Sequence, residues 1–210
     1  MRRHEQDIIL LGLYVDDILI AHNCADLTQS IIHSLNSKFD TTDIGEPSRL
    51  LGMNVAINRE SGTVSINQST YIQELMSKFN MTNVKPIKTP HQPGVLLTKN
   101  TCPSCQPDYG SLVGALNYIS THTRPDIATA VGSLCRYISD PGSLHWTAAK
   151  RVLQYLSGTA SFGITYRRDG NHRLDTYSDS DWGQDIDTRR STTGYIIKLA
   201  GAPISCKSKR

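Results

Sequence analysis

The chain has 210 residues, with 22 Lys and Arg against 19 Asp and Glu and 38% hydrophobic residues. That is enough apolar material for one large or two small globular units, and a net charge of +3 admits a polyanionic partner without requiring one. Five cysteines, an odd and scattered set, argue against a secreted disulfide framework, and the apolar run after the basic opening MRRHEQ is too short and too charged for a membrane helix. A soluble intracellular chain with no membrane partner is expected.

The first element is IILLGLYVDDILIAH, from Ile8 to His22. Periodicity alone does not separate strand from helix in so short an apolar run. A helix would turn Asp16 or Asp17 into apolar surroundings, which costs several kcal/mol without a partner. Two strands, residues 8–15 and 18–22, put both carboxylates at a turn that Asp tolerates. The two charges still repel, by about 4 kcal/mol at ~4 Å and an effective dielectric of ~20.

Next, Leu27, Ile31, Ile32, Leu35 and Phe39 recur at helical spacing, with Asp26 as N-cap. Residues 48–68 read as strand, turn, strand, turning at Glu60-Ser61-Gly62. Residues 69–81 form a helix capped by Ser69 or Thr70, with Ile72, Leu75, Met76 and Phe79 buried. Pro86, Pro90, Pro93, Pro103 and Pro107 make residues 85–108 a linker or extended loop. Three helices follow over 108–123, 124–140 and 143–158. Pro125 opens the second and Gly158 closes the third, whose stripe is Trp146, Ala149, Val152, Leu153 and Leu156. Strands are expected at 162–168, 173–182, 192–200 and 202–209.

An Asp-Asp pair is ordinarily a solvated turn. Here its flanks are strand-like and apolar. Carboxylates on a rigid apolar hairpin suit Mg²⁺, which takes hard oxygen ligands and neutralises their repulsion. Two-metal phosphoryl transfer uses such clusters to hold attacking and leaving oxygens. Cys102-Pro-Ser-Cys105 has CxxC spacing but lacks the second pair of a zinc site. Lys150 and Arg151 beside Trp146, and the basic turn 167–173, suit nucleic-acid phosphates or plain solvent equally well.

The sequence resembles the reverse transcriptase of copia-type LTR retrotransposons. LLGLYVDDILIA is similar to that family's metal-binding polymerase motif. LLGMNV, GTVSINQSTYIQELMSKFNM, YGSLVGALNYIS, TRPDIATAV, HWTAAKRVLQYLSGT and YSDSDW followed by RRSTTGYI match its order and spacing. The resemblance covers nearly the whole chain. It implies an α+β fold: a partial reverse-transcriptase palm and start of the thumb over 1–84, a Pro-rich linker over 85–108, a helical thumb/connection over 109–172, and the first strands of an RNase H-like domain over 173–210. The hairpin of residues 51–67 resembles the element that holds the primer end.

The function so implied is RNA-directed DNA synthesis with RNase H, within a Pol polyprotein. Asp16 and Asp17 would be catalytic Mg²⁺ ligands, with Tyr14 and Val15 beside the primer terminus and nucleotide. Asp179 would be the catalytic, metal-binding carboxylate of RNase H, ahead of Asp181. The partners implied are an RNA/DNA template–primer, deoxynucleotide triphosphates and the remaining Pol segments. The setting implied is cytoplasmic, in a virus-like particle, or nuclear. The family's polymerase draws a third carboxylate from an earlier palm strand, and its RNase H needs further acidic residues downstream. The isolated chain is therefore expected to be inactive, the alternative being a catalytically dead nucleic-acid-binding remnant. Cys206 stands where the family more often has Trp.

Overall fold

The computed structural model describes residues 2–4, 7–99, 108–170, 172–183, 185 and 187–210, so the Cys102–Cys105 pair lies outside the described residues. The chain divides into two compact units, Met1–Pro47 and Ser48–Arg210.

In the first unit, strands β1 (Arg2–His4), β2 (Asp7–Tyr14) and β3 (Asp17–His22) form an antiparallel sheet in that order. The expected hairpin is present, but its turn is shifted. Tyr14 pairs with Asp17, so the two-residue loop is Val15-Asp16 and Asp17 opens a strand. Helix α1 (Ala25–Asn36) packs on β3. Its N-cap is Cys24, without a side-chain bond. Asp26 therefore does not cap the helix; it sits in the first turn, where its charge favours the helix dipole. Leu27, Ile31, Ile32 and Leu35 are half-buried, whereas Phe39 lies beyond the helix and is exposed.

The second unit has two antiparallel sheets. One runs β4 (Arg49–Leu50), β5 (Met53–Asn58), β6 (Thr63–Asn67), β7 (Gly163–Arg167). The other holds β8 (Asp175–Ser180), β9 (Thr193–Leu199) and β10 (Ala202–Lys209) in the order β10-β9-β8. β4 is an extra short strand. It is made by a tight turn at Leu51-Gly52, where both residues take positive φ (49° and 75°). The turn at 59–62 is where the sequence put it.

Four helices carry the core: α2 (Ser69–Lys78), α3 (Tyr109–His122), α4 (Ala128–Cys135) and α5 (Ser143–Ser157). Their apolar stripes meet in one cluster that includes Ile72, Leu75, Leu112, Leu116, Val131, Leu134, Val152, Leu153 and Leu156. Each such side chain removed from water stabilises the fold by about 1.5–3 kcal/mol. Ser69 and Thr70 do not cap α2. They lie inside it and bond Asn54, while the Ser69 N–H donates to Asn67 Oδ1 at 3.0 Å. The helix expected over 124–140 is interrupted: Pro125–Ile127 is a 3-10 turn and α4 begins after it. A buried arginine holds that junction. Arg124 donates to both Asp126 carboxylate oxygens (2.9 and 2.7 Å), the Thr159 carbonyl (2.8 Å) and Thr159 Oγ1 (2.8 Å).

Residues 85–99 have no helix or strand, as a Pro-rich stretch should, but they are not free. They run antiparallel along α5. The Lys85 carbonyl accepts from Gln154 Nε2 (2.6 Å), and Thr89 Oγ1 accepts from Arg151 Nη2 (3.0 Å). Farther on, the Leu97 carbonyl accepts from the Tyr137 hydroxyl (2.7 Å) and the Thr98 carbonyl bonds His145 Nε2 (3.0 Å).

Candidate functional site

The β2–β3 hairpin presents Tyr14, Val15, Asp16 and Asp17 at its tip, all exposed. Asn23 fastens its base: the Ile8 N–H donates to Asn23 Oδ1 (2.7 Å) and the Asn23 N–H to the Ile8 carbonyl (3.2 Å). Val15 has φ +53°, an outlier for a β-branched residue. Backbone held there is strained and persists where the surroundings fix it. The strain and the short loop aim two adjacent carboxylates outward from a ladder of six residue pairs. The strands beneath are open to solvent on much of their surface. Leu13 is 73% and Leu11 55% exposed, while Ile9 is 2% exposed.

Asp179 belongs to the second unit. It is on β8, paired with Gly194, and accepts from the Ser180 N–H at 2.8 Å. It borders a polar groove of about 340 Å³ with Thr129 and Ser133 of α4, Arg136 at its C-cap, and Ser180, Asp181 and Asp185 from the β8 side. Asp185 is buried and was not legible as a site residue. It pairs with Arg136 and with Arg210 (2.5 Å) and accepts from the Thr188 N–H and hydroxyl, both at 2.8 Å. Asp187 accepts from the Tyr137 hydroxyl (3.1 Å) and the Lys99 N–H (3.1 Å), so the β8–β9 loop is fastened to the helices. No local sequence signal marks these carboxylates, because their partners Arg136, Arg210, Tyr137 and Lys99 lie far away in the chain.

Among the described residues, no three or more His, Cys, Asp or Glu side chains gather into a metal-holding group, and no helix is long and apolar enough to cross a membrane. The sequence brings Asp16 and Asp17 together; Asp179 stands in the other unit.

Residues 1–93 match the profile of the reverse transcriptase (RNA-dependent DNA polymerase) family. The retrovirus-related Pol polyprotein from transposon TNT 1-94 of Nicotiana tabacum is 38% identical over 99% of this chain and 16% of its own length. That from transposon RE1 of Arabidopsis thaliana is 37% identical over 98% of this chain and 14% of its own length. The chain belongs to the reverse-transcriptase family of copia-type retrotransposon Pol polyproteins. It spans about a sixth of the length of the Pol polyproteins it matches. An uncharacterized mitochondrial protein of Arabidopsis thaliana, AtMg00810, has closer dimensions: it is 34% identical over 95% of this chain and 82% of its own length. No solved structure matches. In this reverse-transcriptase relative, the family profile covers the hairpin of Asp16 and Asp17 and all of β1–β6 and α2. The likeness to the Pol polyproteins also takes in the helices and the sheet of Asp179.

Proposed function

We propose that this chain supplies part of the polymerase metal centre of a Pol polyprotein, with Asp16 and Asp17 as Mg²⁺ ligands, and that residues 173–210 begin its RNase H-like domain with Asp179 as the first metal-binding carboxylate. The observation that carries the proposal is the strained two-residue tip, which projects adjacent carboxylates from a hairpin inside the family match. Mg²⁺ keeps several waters and is commonly held by one or two carboxylates plus substrate phosphates. Two exposed carboxylates fit that mode, and when bound the ion would neutralise charge on the nucleotide phosphates.

The chain's own residues then have defined tasks. Asp16, on the loop, is the direct ligand. Asp17, fixed by its pairing with Tyr14, assists and holds the tip. Tyr14 and Val15 flank the nucleotide and primer terminus. The hairpin of residues 51–67 holds the primer end, and α2 begins the thumb. Asp179, on the first strand of its sheet, occupies the position that the family resemblance gives to a ribonuclease carboxylate. The segments 1–84, 85–108, 109–172 and 173–210 are palm and early thumb, linker, thumb/connection and RNase H opening. Template–primer, deoxynucleotide triphosphates and the other Pol segments are the partners.

On its own the chain binds nucleic acid without extending it, because among the described residues no third acidic side chain joins Asp16 and Asp17 in a metal-holding group. Primer extension tests the reading. A chimaera in which this chain replaces the aligned stretch of the tobacco transposon Pol polyprotein should incorporate nucleotides in Mg²⁺. Asp16→Asn should cut the rate by about a thousandfold, the loss of several kcal/mol of charge stabilisation. Extension untouched by Asp16→Asn and Asp17→Asn, or template-dependent extension by the isolated chain, contradicts it.

A further inference from the structure

On α5, Leu144, Thr147, Ala148, Arg151 and Val152 stand at i, i+3, i+4, i+7 and i+8, so they share one stripe of the helix. That stripe, Ala130 and Leu134 of α4, and the strap of residues 85–99 line a cavity of about 40 Å³. The two alanines leave the space, since longer side chains at a closed helix pair would fill it to the density of the rest of the core. The strap forms the remaining wall. Its Val95 N–H donates to the Gln92 carbonyl (3.3 Å) in a turn where Gly94 takes φ +75°. It is fastened on both sides of that turn, by Arg151 to Thr89 and by the Tyr137 hydroxyl to the Leu97 carbonyl.

The lining is largely aliphatic, with His91, Gln92, Thr147 and Arg151 as its polar members. None of the three walls, strap, α4 or α5, contains an Asp or Glu. Arg151 joins no ion pair among the described residues; the pairs there belong to Arg124, Arg136 and Arg210. Its Nη2 donates to Thr89 Oγ1, but its Nε is buried without an acceptor. A buried donor left unmade is costly, and a charged one more so. Burial, and then the charge of Arg151, hold the His91 ring below its usual basicity. At neutral pH the cation of the cavity is therefore Arg151, with His91 as an uncharged hydrogen-bonding group beside it.

We propose that this cavity binds a carboxylate bearing a short branched aliphatic group, with the carboxylate on Arg151 and the alkyl part among Leu97, Ala130, Leu134, Ala148 and Val152. The site is independent of the polymerase and ribonuclease readings, since none of its residues belongs to either. An apolar pocket with a few convergent polar groups is the usual form of a small-molecule site. The free Nε–H supplies a charge-assisted bond that a carboxylate oxygen can accept. Size sets the rest of the ligand. One water needs roughly 10–15 Å³ of such volume, so about 40 Å³ takes a group of about three heavy atoms, an isopropyl rather than an aromatic ring, which occupies cavities of about 150 Å³. A strap already fastened to α5 leaves little ordering to be done on binding.

The test titrates the whole ¹⁵N-labelled 210-residue chain with sodium isobutyrate at constant ionic strength and follows the amide shifts. Saturable shifts are expected at Leu97, Ala148 and Arg151. Isobutyramide, the uncharged isostere, should bind at least about tenfold more weakly, because it forfeits the charge-assisted bond. Ala148→Leu, which fills the cavity without touching Arg151, should abolish the shifts, and Arg151→Gln should weaken binding about as much as the amide does. Circular dichroism checks that both variants fold, and the acid–amide comparison on the wild-type chain depends on neither. Acetyl-glycyl-valine with a free C-terminus separates two sources of the same chemistry. Tighter binding than isobutyrate assigns the site to a polypeptide C-terminus, and no binding where isobutyrate binds assigns it to a free short-chain acid; both support the proposal. No saturable shift with either compound, equal affinity for isobutyrate and isobutyramide, or shifts that survive Ala148→Leu overturns it.

Discussion

At the scale of single residues, two kinds of buried or strained group govern the molecule. Val15 sits in left-handed backbone at the tip that carries Asp16. Arg124 sits inside the helical core, with its charge answered by Asp126 and the end of α5. Burial opposes ionisation of Asp126, yet the hydrogen bonds and charge of Arg124, with the Tyr155 hydroxyl, outweigh it and hold the carboxyl below its usual range. A carboxyl depressed in the folded state stabilises above its unfolded pKa of about 3.9, and that contribution is lost as pH falls through the folded value. Acid unfolding followed by circular dichroism should therefore show Asp126→Asn less stable than wild type at neutral pH, the difference vanishing well below pH 4. A constant difference at all pH values would remove the ion pair from the account. Arg124 and Asp126 were visible in the sequence only as part of the motif TRPDI. Nothing local shows that the guanidinium would be buried against Thr159, because that contact joins residues 35 positions apart.

At the scale of elements, periodicity did most of the work. The stripes of α2 and α5 follow from a 3.6-residue pattern that the packing then satisfied, and strands β7–β10 fall within the four stretches read as strands. What escaped the sequence was set by distant partners. Asn67, not Ser69 or Thr70, serves the start of α2, because the β6 end delivers its amide there. His145 is buried at the start of α5, accepting the Gly142 N–H through Nδ1 at 2.8 Å and bonding the strap through Nε2. The linker's docking on α5 was equally hidden, since Pro-rich composition forbids regular structure but does not forbid contact. One glycine fixes how the sheets close: a Cβ on Gly163 would stand 2.1 Å from the Ile66 carbonyl oxygen across the β6–β7 ladder. Gly163→Ala should cost at least about 1–3 kcal/mol in urea unfolding, the usual penalty of overpacking, because the obstacle is backbone. A neutral effect would show that β7 is not tightly paired to β6.

At the scale of the whole molecule, the candidate chemistry is divided between two compact units. Asp16 and Asp17 belong to a three-stranded sheet whose apolar strands are largely exposed, and Asp179 to a body with a dense helical core. The carboxylate pair was legible as an anomaly, two charges in an apolar run, and the hairpin resolves it by turning both to solvent. The one-residue shift of the turn was not legible, because Asp-Asp and Val-Asp are both admissible loops until the pairing of Tyr14 is fixed. The groove beside Asp179 was not legible either, since Thr129, Ser133 and Arg136 reach it from a helix about 50 residues away in the chain.

The central claim is that the hairpin tip is a divalent-cation site made by Asp16 and Asp17. The most direct measurement is a Mn²⁺ titration of the ¹⁵N-labelled chain, reading paramagnetic broadening amide by amide. The account predicts that broadening begins at Val15, Asp16 and Asp17, with a second focus around Asp179. Asp16→Asn with Asp17→Asn should abolish the first and spare the second. Broadening that misses the tip, or that persists there in the double variant, would contradict it.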